Sequence, residues 1–145
     1  MRPPTVSSNT MRQMLAGLLV ASIFSVASSA QALEGFKSPS GNIHCMLEDN
    51  TSLRCDILEF NSAPPPKPAW CEFDWGQAFV ITADGQSGQR ICYSDTVAND
   101  QWPVLSYGSK WQGPGFACQS DESGVTCVNT HRHGFILSRG SQKLF

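Results

Sequence analysis

Six cysteines, Cys45, Cys55, Cys71, Cys92, Cys118 and Cys127, most narrow what this 145-residue chain can fold into. An even set in a short chain reads as a disulfide framework once the chain reaches an oxidising compartment. The N-terminus carries the address: Arg2 and Arg12 are positive, Met14 to Ala27 is apolar, and Ala30-Gln31-Ala32 offers a small-x-small cleavage site. We expect a signal peptide over residues 1–32, cleaved after Ala32, and a single secreted β domain over 33–145. Met11 is a second plausible start and leaves the same mature chain. A membrane-spanning helix needs about 20 apolar residues, and this run is shorter and interrupted by Ser22 and Ser25. No cysteine follows the cleavage site and no twin-arginine pair precedes it, so no stable membrane anchor is expected.

Spacing arbitrates among the many pairings six cysteines allow. Cys45 and Cys55 bracket the turn EDNTS, and Cys118 and Cys127 bracket SDESG, so each pair faces across a short hairpin. Pairing them leaves Cys71 with Cys92. Closing loops of about ten residues contributes roughly 2.5 to 3 kcal/mol per bridge on the chain-entropy model. A zinc site is the competing reading, but the pairs lack C-x-x-C spacing and export disfavours it, so we expect no metal and no cofactor. With every thiol bridged, none remains as a nucleophile.

The formal net charge of −2 includes Arg2 and Arg12, so the part beyond residue 32 is more acidic still. Nucleic acid and anionic membranes are bound chiefly through Lys and Arg. The longest basic cluster, His131-Arg132-His133, carries one full charge at neutral pH, and no nucleic-acid partner is expected.

The most chemical-looking stretch is SPSGNIHC, residues 38–45. It has echoes: Ser40-Gly41, Ser87-Gly88 and Ser123-Gly124 each run into a cysteine within a few residues. A reactive site would not recur three times. A turn-to-strand device would, with glycine supplying an unusual backbone angle and serine bonding nearby backbone.

The remaining pattern is all-β. Expected strands are Asn42 to Leu47, Leu53 to Glu59, Gln77 to Ala83, Arg90 to Tyr93, Val104 to Ser106, Gly115 to Gln119, Val125 to Asn129 and Gly134 to Ser138, separated by turn signals such as Asp84-Gly85 and Gly113-Pro114-Gly115. APPPKP, residues 63–68, reads as a stiff extended connection. Short hairpins with three staples predict a small disulfide-stapled sandwich or barrel.

The ordered series FKSPSGNIHC, LRCDI, WCEFDWGQAFVI, CYSDT, VLSYGSKW, FACQSDESGVTCVN and HGFILSR resembles a family of small exported bacterial proteins, domain of unknown function 6636. The resemblance covers Phe36 to Phe145. It implies export, a disulfide-stapled β domain and no known catalytic residues. The chain departs from the family pattern at His131-Arg132, where a Thr-Gly-like turn is expected before His133.

No catalytic residue emerges. His44, His131 and His133 are the only histidines. His131 and His133 point the same way if their segment is extended, but no carboxylate or further ligand is near in sequence, and a surface or structural role is expected. No G-x-S-x-G elbow supports a serine triad. Glu72 and Asp74, flanking Phe73, read as the exposed face of a strand or loop. Asn50-Thr51-Ser52 matches a glycosylation sequon, but with the bacterial source that the resemblance implies no glycan is expected there.

Aromatic residues supply the best binding surface, because planar rings offer large rigid area. Trp70 and Trp75, beside Cys71, are expected in the core. Trp102, Tyr107 and Trp111 form the candidate surface. The leading expectation is a non-catalytic binding module for an envelope or extracellular protein or glycan, such as an inhibitor of a hydrolase like lysozyme. The alternative is a small secreted hydrolase using a histidine.

Overall fold

The computed structural model describes residues 34–145; the expected signal peptide lies outside them. Ten strands form among the described residues: β1 (Gly35–Lys37), β2 (Ile43–Glu48), β3 (Ser52–Ile57), β4 (Asp74–Thr82), β5 (Gln89–Tyr93), β6 (Lys110–Gly113), β7 (Phe116–Asp121), β8 (Gly124–Asn129), β9 (Gly134–Leu137) and β10 (Gln142–Leu144). They build two antiparallel five-stranded meanders, β1 to β5 and β6 to β10, each in sequence order. Of the sandwich and the barrel, the chain makes the sandwich.

Alternation explains the packing. In β7 and β8, Phe116, Cys118, Val125 and Cys127 are buried while Ala117, Gln119, Thr126 and Val128 on the other face are only half-buried, as expected for a sheet with one face on the core. The inward side chains of both sheets make one core, with Phe36, Ile43, Leu53, Ile57, Phe79 and Ile81 from the first meeting Phe116, Val125, Phe135 and Leu137 from the second. β3 breaks the alternation: Leu53 to Ile57 are all buried. Its outward residues Arg54 and Asp56 are covered by a segment that leaves β5 and crosses the outer face, residues 94–105.

Both expected hairpin bridges form, Cys45–Cys55 and Cys118–Cys127, and Cys71 is bonded to Cys92. Each hairpin bridge joins directly opposed residues. Extending those registers gives two matching rows. In the first sheet Phe36, Cys45, Cys55 and Phe79 lie side by side; in the second, Trp111, Cys118, Cys127 and Phe135 do. The rows face each other, with Phe36 and Trp111 rings 5.6 Å apart and Phe79 and Phe135 rings 6.4 Å apart.

The expected strand over Val104 to Ser106 is not one. It makes a single parallel bridge, Val104 to Lys37, with Lys37 N–H donating to the Pro103 carbonyl at 2.9 Å and Leu105 N–H to the Lys37 carbonyl at 2.8 Å. It covers the edge of β1 instead. The expected strands also omit β1, β6 and β10, all of four residues or fewer.

The three Ser-Gly turns are not one device. Gly41 sits at φ 69°, a left-handed angle that suits glycine. Gly88 needs closeness rather than angle, since a Cβ there would lie 2.2 Å from the Gly134 carbonyl oxygen. APPPKP connects β3 to β4 without regular structure, as expected. It is pinned to β4, with Trp75 Nε1–H donating to the Pro65 carbonyl at 3.1 Å.

Candidate functional site

SPSGNIHC is architecture. His44 is 1% exposed. Its Nε2–H donates to the Gly41 carbonyl at 2.9 Å and its Nδ1 accepts the Asn99 N–H at 3.2 Å. Those two bonds suit one neutral tautomer and leave neither nitrogen free for proton transfer. His44 thus ties its own turn to the covering segment. His131 and His133 do not share a strand face, because their segment is a turn: Asn129 Oδ1 accepts both backbone N–H groups, at 3.0 and 3.1 Å, and Arg132 between them has φ 67°. The sulfurs of Cys45, Cys55 and Cys127 cluster within 4.8 Å, but bridged sulfurs are not thiolate ligands.

The covering segment is held by three outward side chains of the first sheet. Besides His44, Asp56 accepts from Thr96 Oγ1 at 2.9 Å and Val97 N–H at 3.0 Å. Arg54 forks onto Asp56 at 2.9 and 3.0 Å and donates to the Asp95 carbonyl. The buried carboxylate and guanidinium are therefore paired and bonded, as buried charges need to be.

The expected aromatic surface is redistributed. Trp111 is 5% exposed and belongs to the core; in β6 it alternates with exposed Lys110 and Gln112 and so points inward. Trp102 is half-buried, its Nε1–H donating to the Val97 carbonyl at 3.1 Å and its ring against Gly35. Tyr107 is exposed and borders a cavity of about 190 Å³ beside Ser38, Ser40, Asp121 and Arg139. These three residues do not make one continuous aromatic surface.

Of the two tryptophans expected in the core, Trp70 is outside at 67% exposed and Trp75 is half-buried; Phe73, for which no place is predicted, is 59% exposed. Trp75, half-buried, meets Trp70 edge to face at 5.7 Å and 88°. Between them Cys71 is buried and bonded to Cys92 of β5, which anchors the segment while its neighbours face water. Glu72 and Asp74 are exposed as expected, and Phe73 between them is exposed too, so this stretch does not alternate. One signal in the sequence points to this site: a ring between two carboxylates that both need water is itself near the surface. On β5, Tyr93 donates to Gln77 Oε1 at 2.7 Å. Burial first, then the carboxylates of Asp74 and Asp56, push its phenol above the usual tyrosine value.

Rigid exposed rings beside carboxylates suit stacking and desolvation against a partner. No helix among the described residues is long and apolar enough to cross a membrane, and three disulfides fit an oxidising compartment. No curated protein and no solved structure matches the chain. Residues 14–145 match the family described as "Family of unknown function (DUF6636)". The match spans nearly the whole chain, and the chain therefore belongs to that family.

Proposed function

We propose that this protein is secreted or periplasmic, with residues 1–32 removed on export, and is a non-catalytic binding module for a protein or glycan of the envelope or extracellular space. Its contact surface is the patch of Trp70, Phe73 and Trp75. One observation carries the reading: two large rings more than half exposed, on a segment anchored by the Cys71–Cys92 bridge. Leaving such rings in water forgoes roughly 1.5 to 3 kcal/mol of burial apiece, and the anchor lowers the entropy lost when a partner covers them. The hydrolase alternative draws no support from His44, whose two ring nitrogens are both engaged.

The test is a crosslinking pull-down of the tagged, exported protein from its own envelope and medium, beside the Trp70→Ala/Phe73→Ala variant. A partner captured by the native protein and lost from the variant supports the reading. A partner retained by the variant places the contact elsewhere and overturns the patch.

A further inference from the structure

The two sheets match strand for strand around their hairpin bridges, and the match sets their outer faces in correspondence. His44 precedes Cys45, and Arg54 and Asp56 flank Cys55; the counterparts are Ala117 before Cys118, and Thr126 and Val128 around Cys127. In the first sheet those three positions anchor the covering segment, and Val97 of that segment is pressed to 8% exposure against the face. In the second sheet the same three positions floor an open trough of about 550 Å³. The first sheet has its cover, and the second presents the equivalent seat without one among the described residues.

The chemistry of the two seats differs in a way that identifies an occupant. The first uses buried polar anchors. The second has Ala117, Thr126 and Val128 on its floor, with Phe145 also lining it, and a polar rim that includes Lys110 and Arg132. Neither Lys110 nor Arg132 has an ion-pair partner among the described residues, whereas Asp121, the acidic member of the rim, is bonded by the Gln119 amide at 3.2 and 3.1 Å. Asp121 keeps its charge under a neutral amide, so the ionised side chains lining the trough are two cations and one carboxylate, a small positive excess in an acidic protein.

We infer that the outer face of the second sheet seats an extended acidic polypeptide segment from another protein, laid across the sheet as residues 94–105 lie across the first. An apolar side chain of that segment occupies the floor over Ala117, Thr126 and Val128, as Val97 does on the other face. Its carboxylates meet Lys110 and Arg132. This site is separate from the Trp70 patch and does not depend on it.

The test pans a library of random dodecapeptides against the full exported protein, then maps the selected peptide by amide chemical shifts. The expected consensus sets acidic residues around a small apolar one, and the expected shifts fall on Ala117, Thr126 and Val128. Lys110→Glu/Arg132→Glu, which alters only exposed side chains, lowers affinity about ten-fold or more, and Trp70→Ala leaves it within about two-fold. Failure to enrich any sequence overturns the proposal, as does a consensus without acidic residues or binding lost in Trp70→Ala but kept in the charge-reversed variant. Two further results also overturn it: an oligogalacturonate probe that shifts the same amides at lower concentration than the peptide, assigning the trough to acidic glycan, or sedimentation showing a dimer that Val128→Lys dissolves, assigning it to a second copy.

Discussion

The sulfur atoms of Cys55 and Cys127 lie 3.9 Å apart, though each is bonded to a different partner. The two hairpin bridges therefore stack against each other across the middle of the sandwich. Each bridge holds its own hairpin, and their contact is part of what holds sheet to sheet. The cross-links are thus part of the core as well as staples of their hairpins.

Deleting one bridge should cost both the cross-link and the packing. Cys118→Ala/Cys127→Ala is expected to lose about 2 to 5 kcal/mol, read from urea denaturation. A loss below about 1 kcal/mol would show that the stacked sulfurs contribute little to the core.

Removing the His44 latch should loosen one specific segment. His44→Ala leaves the Gly41 carbonyl and Asn99 N–H without their partner and is expected to cost about 1 to 3 kcal/mol, with faster hydrogen exchange at Asn99. His131→Ala, at an exposed turn position, should stay within about 0.5 kcal/mol. Equal effects from both would remove the latch.

Arg132, at φ 67°, holds a left-handed backbone angle that glycine adopts at no steric cost. Arg132→Gly should stabilise the protein by about 1 kcal/mol, since a side chain in the left-handed region costs about that much. An unchanged or lower urea midpoint would contradict a strained turn.

Tyr93 sets an alkaline limit. Its phenol is held above the usual value of 10.0, chiefly by burial, so above about pH 10 the unfolded chain gives up a proton that the folded one keeps. The stabilising share of this group is full below about pH 10 and is lost as pH rises through the folded value. Urea midpoints at about pH 9 and about pH 11 should converge in Tyr93→Phe relative to the native protein; an identical drop in both would exclude Tyr93.

The two cysteine hairpins are legible in the sequence because each pair is directly opposed across a turn whose residues accept the needed angles: Asp49 and Asn50 both have positive φ. Strands of three or four residues are not legible, because β1 and β10 owe their existence to the neighbour they pair with. The aromatic assignments fail for a related reason. A tryptophan beside a buried cysteine reads as core, yet Cys71 points in while Trp70, one residue away, points out. Trp111 is readable only once Lys110–Gly113 is known to be a strand, since Lys-Trp-Gln then becomes an inward ring between two outward polar residues. The outer faces are legible least of all: the residues that decide whether a face is covered, His44 against Ala117 and Asp56 against Val128, acquire meaning only when the two sheets are laid over each other.

Under the proposed function contact falls to Trp70 while the core holds Trp111, and Trp70→Ala measured beside Trp111→Ala separates the two roles. Each variant is measured twice, by urea denaturation and by yield of crosslinked partner from the envelope. Trp70→Ala is expected to keep its stability within about 0.5 kcal/mol and lose the partner, while Trp111→Ala loses about 3 to 5 kcal/mol. A destabilised Trp70→Ala, or one that captures the partner as well as the native protein does, would contradict that division.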